Sequence, residues 1–159
     1  VDRLYTPWRR SYVTSLNDPG GCIFCQLEKE EDERAHILLR EDGWYVVLNK
    51  YPYTTGHMML VLGRHLGSLC DLSKEEAAAQ PGLLARCEKA LREVYHPHGL
   101  NVGLNLGRAA GAGVDGHLHW HLLPRWEGDA NFVSVVGDTR ILPETLEESY
   151  RRLLPHLGG

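Results

Sequence analysis

The sequence predicts an α+β domain: an antiparallel sheet of about five strands, one main helix and a C-terminal helix. Three observations lead there. Apolar runs of strand length follow one another, and a helix-length amphipathic segment separates only the third from the fourth. An Asp42-Gly43 step joins the first two runs, as in a tight hairpin. The last run, His117-Leu118-His119-Trp120-His121-Leu122-Leu123, alternates imidazole with large apolar side chains, the period of a strand with one buried face.

Taken in order, residues 1–20 form an N-terminal arm. Tyr5, Trp8 and Tyr12 make it too aromatic for a loose tail, so it should pack on the body or on a partner subunit, and Asn17-Asp18-Pro19-Gly20-Gly21 ends it in a turn. Cys22 and Cys25 follow as a Cys-x-x-Cys pair. Gln26 to Arg34 is acidic and helix-prone and reads as one solvated helix. His36–Arg40 and Trp44–Asn49 are the hairpin strands, Tyr51–Gly56 a loop, and His57–Leu62 the third strand.

Ser73 and Glu76 are spaced as a capping box and open the main helix. Leu83, Leu84, Cys87, Leu91 and Val94 keep helical spacing as far as Tyr95, and Pro81-Gly82 predicts a break, with a second segment from about Leu83. Leu100–Leu106 is the fourth strand and the histidine run the fifth. Phe132–Val136 adds a short strand, and 143–156 the terminal helix, with Pro143 in its first turn.

Composition bounds the function. At 159 residues the chain is long enough for one core, so 1–159 reads as a single domain. A net charge of -4 argues against a nucleic-acid or membrane-surface partner. No apolar run reaches membrane length, and Val1-Asp2-Arg3-Leu4 carries no apolar signal region, so a cytoplasmic location is expected. Four cysteines are too few for a disulfide scaffold. The Cys22/Cys25 pair suggests a metal or a redox site, while Cys70 and Cys87 read as small buried hydrophobes.

The histidine row carries the chemistry. Alternate residues on a strand lie roughly 6.6 Å apart, which puts His117 and His121 ~13 Å apart, too far for one ion to take all three. Separate tasks for the three imidazoles fit better. His119, the central one, is the candidate nucleophile: a neutral imidazole attacks phosphorus when one nitrogen is free and the other is held as a donor. The glycine-rich stretch Gly107 to Gly113, directly before the row, suits close approach of phosphate oxygens to backbone N–H groups.

The row, with Cys22-Ile23-Phe24-Cys25, Leu48-Asn49-Lys50-Tyr51-Pro52-Tyr53, Gly56-His57 and Asn105-Leu106-Gly107, resembles the histidine-triad (HIT) family from about residue 22 to the end of the row. The continuation Pro124-Arg125-Trp126-Glu127-Gly128-Asp129-Ala130-Asn131-Phe132 looks most like its bacterial diadenosine tetraphosphate phosphorylase branch. The resemblance implies a HIT-like fold, a homodimer, and a nucleotide substrate whose nucleoside monophosphate passes through a covalent intermediate on His119. It implies that His121 meets the phosphate and the leaving group, and that His57 orients the row. Asn49 would bind the ribose hydroxyls and Asn105 the phosphate, with Gly111 and Gly113 in the phosphate loop. Arg108 and Arg125 either lend charge to the pocket or are solvated.

Many family members carry Gln and then Ser or Thr where this chain has Gly113 and Val114. The missing hydroxyl argues against a plain nucleoside phosphoramidate hydrolase, and the phosphorylase branch lacks it too. Histidine at the third triad position disfavours the hexose-phosphate uridylyltransferase branch. For the cysteine pair the resemblance implies a structural zinc held by Cys22, Cys25, His65 and His117. A redox pair would want a helix start, which the sequence does not display. Two other classes stay open: a zinc phosphoesterase with triad histidines as metal ligands, for which no His-x-His-x-Asp-His pattern exists, and a nucleotide sensor without turnover.

Overall fold

The computed structural model describes residues 21–129 and 141–158. The expected N-terminal arm and the expected strand Phe132–Val136 lie outside these residues. Two short helices come first, α1 (Ile23–Leu27) and α2 (Asp32–Ala35). Strands β1 (Ile37–Glu41), β2 (Trp44–Leu48) and β3 (Met58–Leu62) follow, then the long helix α3 (Lys74–Tyr95). Strands β4 (Gly99–Leu104) and β5 (His119–Arg125) and helix α4 (Leu146–Leu157) complete the order. Every pairing in the five-stranded sheet is antiparallel, in the order β1-β2-β3-β5-β4.

Local chemistry explains the elements. Asp42 and Gly43 both take positive φ, 50° and 78°, as a two-residue hairpin loop between right-twisted strands requires. Ser73 Oγ accepts from the Glu76 amide at 3.1 Å while the Ser73 amide donates to Glu76 Oε2 at 2.8 Å, so α3 opens on the expected capping box. Thr145 and Glu148 form a second box at the head of α4.

Three sequence expectations are corrected. Gln26 to Arg34 is not one helix: α1 closes by Glu28, a turn intervenes, and α2 starts at Asp32, although the charged side chains do face water. The helix α3 runs unbroken through Pro81. Proline removes the N–H that would reach the Ala77 carbonyl. The turns on both sides are anchored regardless, Gln80 by the Trp120 indole N–H at 3.0 Å and Leu83 and Cys87 by burial. Packing thus overrides a local breaker. The terminal helix starts three residues late, at Leu146, because Thr145 and Glu148 supply a stronger start than Pro143.

Both faces of the sheet are covered. Leu60, Leu62, Leu118 and Leu122 pack under Leu83, Cys87 and Leu91 of α3 and Leu153 and Leu157 of α4. On the opposite face Tyr45, Val47, Met59 and Val61 pack with Phe24 of α1 and Ala35 of α2. The histidine row lies on this second face, beside Phe24, Met59 and Val61. Cys87 is fully buried as expected, but Cys70 is exposed, on a 3₁₀ turn (Leu69–Asp71) that keeps it outside the core. Among the described residues no helix is long and apolar enough to cross a membrane.

Candidate active site and metal centre

The triad run enters β5 one residue after Leu118. The Leu118 amide donates to Leu66 O at 2.7 Å and its carbonyl accepts from the Leu62 amide at 3.1 Å, so strand-like bonding already holds the chain just before His119. Register then pairs Val61 with His119 and Met59 with His121 across β3–β5, and Gly103 with His121 across β4–β5. Pairing sets the three imidazoles side by side, with His119 and His121 ring centroids 5.0 Å apart.

His57, His117 and His119 each have a proton placed by a backbone partner and His121 by His57, so tautomers follow from donor and acceptor counting. His119 Nδ1–H donates to the His117 carbonyl at 2.7 Å, which leaves the lone pair on Nε2. His119 is 4 % exposed under the Phe24 ring, whose centroid is 4.8 Å away. Burial pushes its pKa down, more than the carbonyl bond pushes it up, so the neutral form is favoured.

The second chain of bonds starts at the Tyr53 amide. It donates to His57 Nδ1 at 3.2 Å, so His57 carries its proton on Nε2. That proton faces His121 Nδ1 at 2.9 Å, and His121 is therefore protonated on Nε2. The row ends with one imidazole offering a lone pair and its neighbour offering a donor. Asn49 sits behind His57, its Nδ2 3.3 Å from His57 Nδ1 and its Oδ1 accepting from the Tyr51 amide at 2.9 Å.

The glycine-rich stretch Gly107 to Gly113 is a tight structure. A 3₁₀ turn (Arg108–Ala110) ends at Gly111 with φ 90°, and an added Cβ there would lie 3.9 Å from the Asn105 amide nitrogen, so Asn105 and Gly111 are neighbours. The amides of Ala110, Gly111 and Ala112 turn back onto Gly107 O and Arg108 O. Gly113 follows this turn, and Val114 packs on the apolar cluster of the histidine face. Arg108 pairs with Asp115 at 2.9 Å; Arg125 pairs with Asp129 at 2.6 Å and with Asn101 Oδ1 at 2.9 Å. Both arginines take the solvated-surface role.

Cys22, Cys25, His65 and His117 converge, with their ligand atoms all within 4.8 Å of one another. Cys22 Sγ is 3.2 Å from His117 Nδ1; Cys25 Sγ is 3.4 Å from His65 Nδ1 and 3.6 Å from His117 Nδ1. A tetrahedron with Zn–S of about 2.3 Å and Zn–N of about 2.1 Å has S···N edges of about 3.6 Å. The set therefore fits a zinc-sized ion with little rearrangement. His117 Nε2–H donates to Leu62 O at 2.6 Å, which aims Nδ1 at the two sulfurs and supplies the outer bond that metal-binding histidines use. Cys22 is the N-cap of α1, so the pair does stand at a helix start, contrary to the sequence reading. Two histidines facing the sulfurs make it a candidate metal-ligand set.

Phe24 was not among the sequence candidates, though it lies between the two cysteines. Its carbonyl accepts from the buried Tyr45 hydroxyl at 2.8 Å, and its ring touches both His117 and His119. Its place inside Cys-x-x-Cys was the available signal.

Fold and histidine row together define a histidine-triad protein. The HIT domain family model matches residues 30–128, and the chain belongs to that family. An AP-4-A phosphorylase of Mycobacterium tuberculosis is 38% identical over 162 residues, covering 97% of this chain and 83% of that protein. A zinc-bound histidine triad family protein from Mycobacterium smegmatis superposes with a TM-score of 0.69 at 30% identity, covering 87% of this chain and 94% of the other. A hypothetical histidine triad nucleotide-binding protein from Sulfolobus tokodaii shares the fold, with a TM-score of 0.68 at 23% identity over 85% of this chain and 91% of that one.

Proposed function

We propose that this chain moves a nucleoside monophosphate from a dinucleoside polyphosphate to an acceptor, phosphate or water, through a covalent intermediate on His119. The observation that carries the reading is the His119 tautomer: Nδ1–H is tied to the His117 carbonyl, and Nε2 keeps its lone pair on a buried, neutral ring. Similarity to an AP-4-A phosphorylase over nearly the whole chain supports the substrate class.

In the first half-reaction His119 Nε2 attacks the α-phosphorus. The N–P bond forms as the P–O bond to the leaving polyphosphate breaks. His121, protonated on Nε2 by the bonding order above, supplies the donor for the departing oxygen. In the second, an acceptor oxygen attacks phosphorus, the N–P bond breaks, and the acceptor's proton returns to the histidine pair. His57 holds His121 in the required tautomer. Asn49, Asn105 and Gly113 form the ribose and phosphate contacts in this reading, while Gly111, its amide bonded to Arg108 O, shapes the turn beside Asn105.

Zinc on Cys22, Cys25, His65 and His117 belongs to the proposal as a structural brace. Bound there it fastens α1 and residue 65 to the start of the triad run and takes no part in bond making. Thiolate ligands suit a cytoplasmic setting, where cysteines stay reduced. A homodimer is also proposed, supported by β4, an edge strand whose Asn101, Val102 and Gly103 are exposed.

The reading is tested by incubating the protein with diadenosine tetraphosphate, with and without phosphate. ADP plus ATP formed only with phosphate marks a phosphorylase. AMP plus ATP without phosphate marks a hydrolase, whereas two ADP would mean cleavage away from the α-phosphorus and would refute transfer of a nucleoside monophosphate. No turnover under either condition refutes the reading.

A further inference from the structure

We infer that Tyr95, clamped by Glu144, is a positioning residue that aims His57 at His121. The inference rests on the reading that these two histidines serve the transfer.

His57 follows Gly56, which holds φ +75°. A Cβ at Gly56 would lie 2.6 Å from Tyr95 Cε2 and within 3.2 Å of two further ring carbons, so the Tyr95 ring lies directly against the glycine. Backbone bonds close the turn, His57 N–H to Thr54 O at 3.2 Å and Asn49 N–H to His57 O at 3.0 Å, and the Tyr95 ring bears on it from outside. The hydroxyls of Thr54 and Thr55 are buried and meet no hydrogen-bond partner among the described residues. Beneath the turn is a water-sized cavity of about 20 Å³, lined by Leu48, Thr55, Gly56 and His57 on one side and Glu144 and Ser149 on the other. A hole on that side means the turn is not set by close packing from below, and the Tyr95 ring is a rigid contact at Gly56.

Tyr95 is itself fixed. It is the last residue of α3, and its hydroxyl donates to Glu144 Oε1. Glu144 also accepts from Ser149 Oγ at 2.7 Å and from Arg152 Nη1 at 2.5 Å. Arg152 completes the clamp through Nη2 to Val94 O at 2.8 Å and by standing 4.7 Å from the Tyr95 ring centroid. Glu144, Ser149 and Arg152 all lie beyond residue 128, where the family match ends. The C-terminal segment thereby bears on the turn before His57 through the Tyr95 ring. If the ring tilts, the turn moves, and the His57 Nε2–H to His121 Nδ1 bond at 2.9 Å lengthens.

The test compares Tyr95→Phe, which keeps the ring and loses the clamp, with Glu144→Gln, which keeps a neutral acceptor. Ring ¹⁵N–¹H correlation spectra of the ¹⁵N-labelled protein, assigned with single histidine variants, report the tautomer and hydrogen bonding of His57 and His121. Turnover of diadenosine tetraphosphate is measured alongside. The His57 Nε2–H and His121 Nδ1 signals should move in both variants, more in Tyr95→Phe, with kcat down about tenfold at unchanged KM. Signals that keep their wild-type positions in Tyr95→Phe overturn the inference; should that variant not fold, Glu144→Gln decides by the same criterion. Signals that move while kcat stays constant uphold the positioning and instead refute the transfer role given to His121.

Discussion

Depleting zinc should lower stability by an amount the geometry helps set. The S···N separations of 3.2, 3.4 and 3.6 Å already lie near the edges of a zinc tetrahedron, so little binding energy goes into rearranging the protein. Linkage then gives about 2.7 kcal/mol of stabilisation at free zinc one hundred times the dissociation constant, and about 1.4 kcal/mol for each further tenfold. For a chain of this size 1 kcal/mol corresponds to about 2–4 °C in Tm, so each tenfold fall in buffered free zinc should lower Tm by about 3–6 °C. The assay is scanning calorimetry across a series of zinc buffers. Cys25→Ser should flatten the slope and leave the metal-free Tm near that of wild type, while His119→Ala should leave the slope intact. A wild-type Tm independent of free zinc refutes the ligand assignment, as does a His119→Ala variant that loses the slope.

Three further predictions follow from particular residues. His119→Ala should abolish turnover, beyond the roughly 10²–10⁴-fold cost of losing a general base, while nucleotide binding measured by calorimetry persists; a label from quenched substrate should map to His119 as an acid-labile, base-stable adduct. Pro81→Ala should stabilise the protein by about 1–2 kcal/mol, read by urea unfolding, because it restores a helix N–H at an exposed site whose neighbours already hold helical geometry. Glu76 is an acid-sensitive group: its bond to Arg64, with help from the Ser73 amide, holds its carboxyl at about 2, below the ordinary 4.5. A depressed carboxyl stabilises above pH 4.5 and loses that contribution as pH falls toward 2. Glu76→Gln should therefore cost about 1 kcal/mol at neutral pH, a value discounted for the exposed Arg64, and should flatten the acid limb of the stability profile.

Much of the site was legible because it is local in sequence. The triad, the cysteine pair and the Asp-Gly hairpin each declare themselves within a few residues, by alternation, spacing or turn chemistry. The capping box at Ser73 was legible for the same reason. What escaped depends on distant partners. Tyr95 and Glu144 are 49 positions apart, and nothing near either predicts the bond between them. Pro81 was read as a break because propensity sees only its own turn, whereas Gln80 is held by Trp120, 40 positions away. Cys70 has Leu69 and Leu72 beside it, yet a 3₁₀ turn leaves it exposed; an apolar neighbourhood in sequence is not one in space. The proton order from Tyr53 through His57 to His121 needed the strand register as well as the residues.

The central strand has a consequence for how the site opens. Met58 to Leu62 sit between β2 and β5, with side-chain exposures from 0 % to 6 %, and β3 carries the pairing partners of both His119 and His121. Amide protons here can exchange with solvent only when the sheet itself comes apart, since fraying of loops or of the β4 edge does not uncover them. Deuterium uptake at Leu60 and Val61 should track global unfolding, while uptake at Val102 should run far ahead of it. The backbone around His119 should thus belong to the last unit of the molecule to melt, and any ligand would have to reach His119 without local unfolding of the strand that bears it.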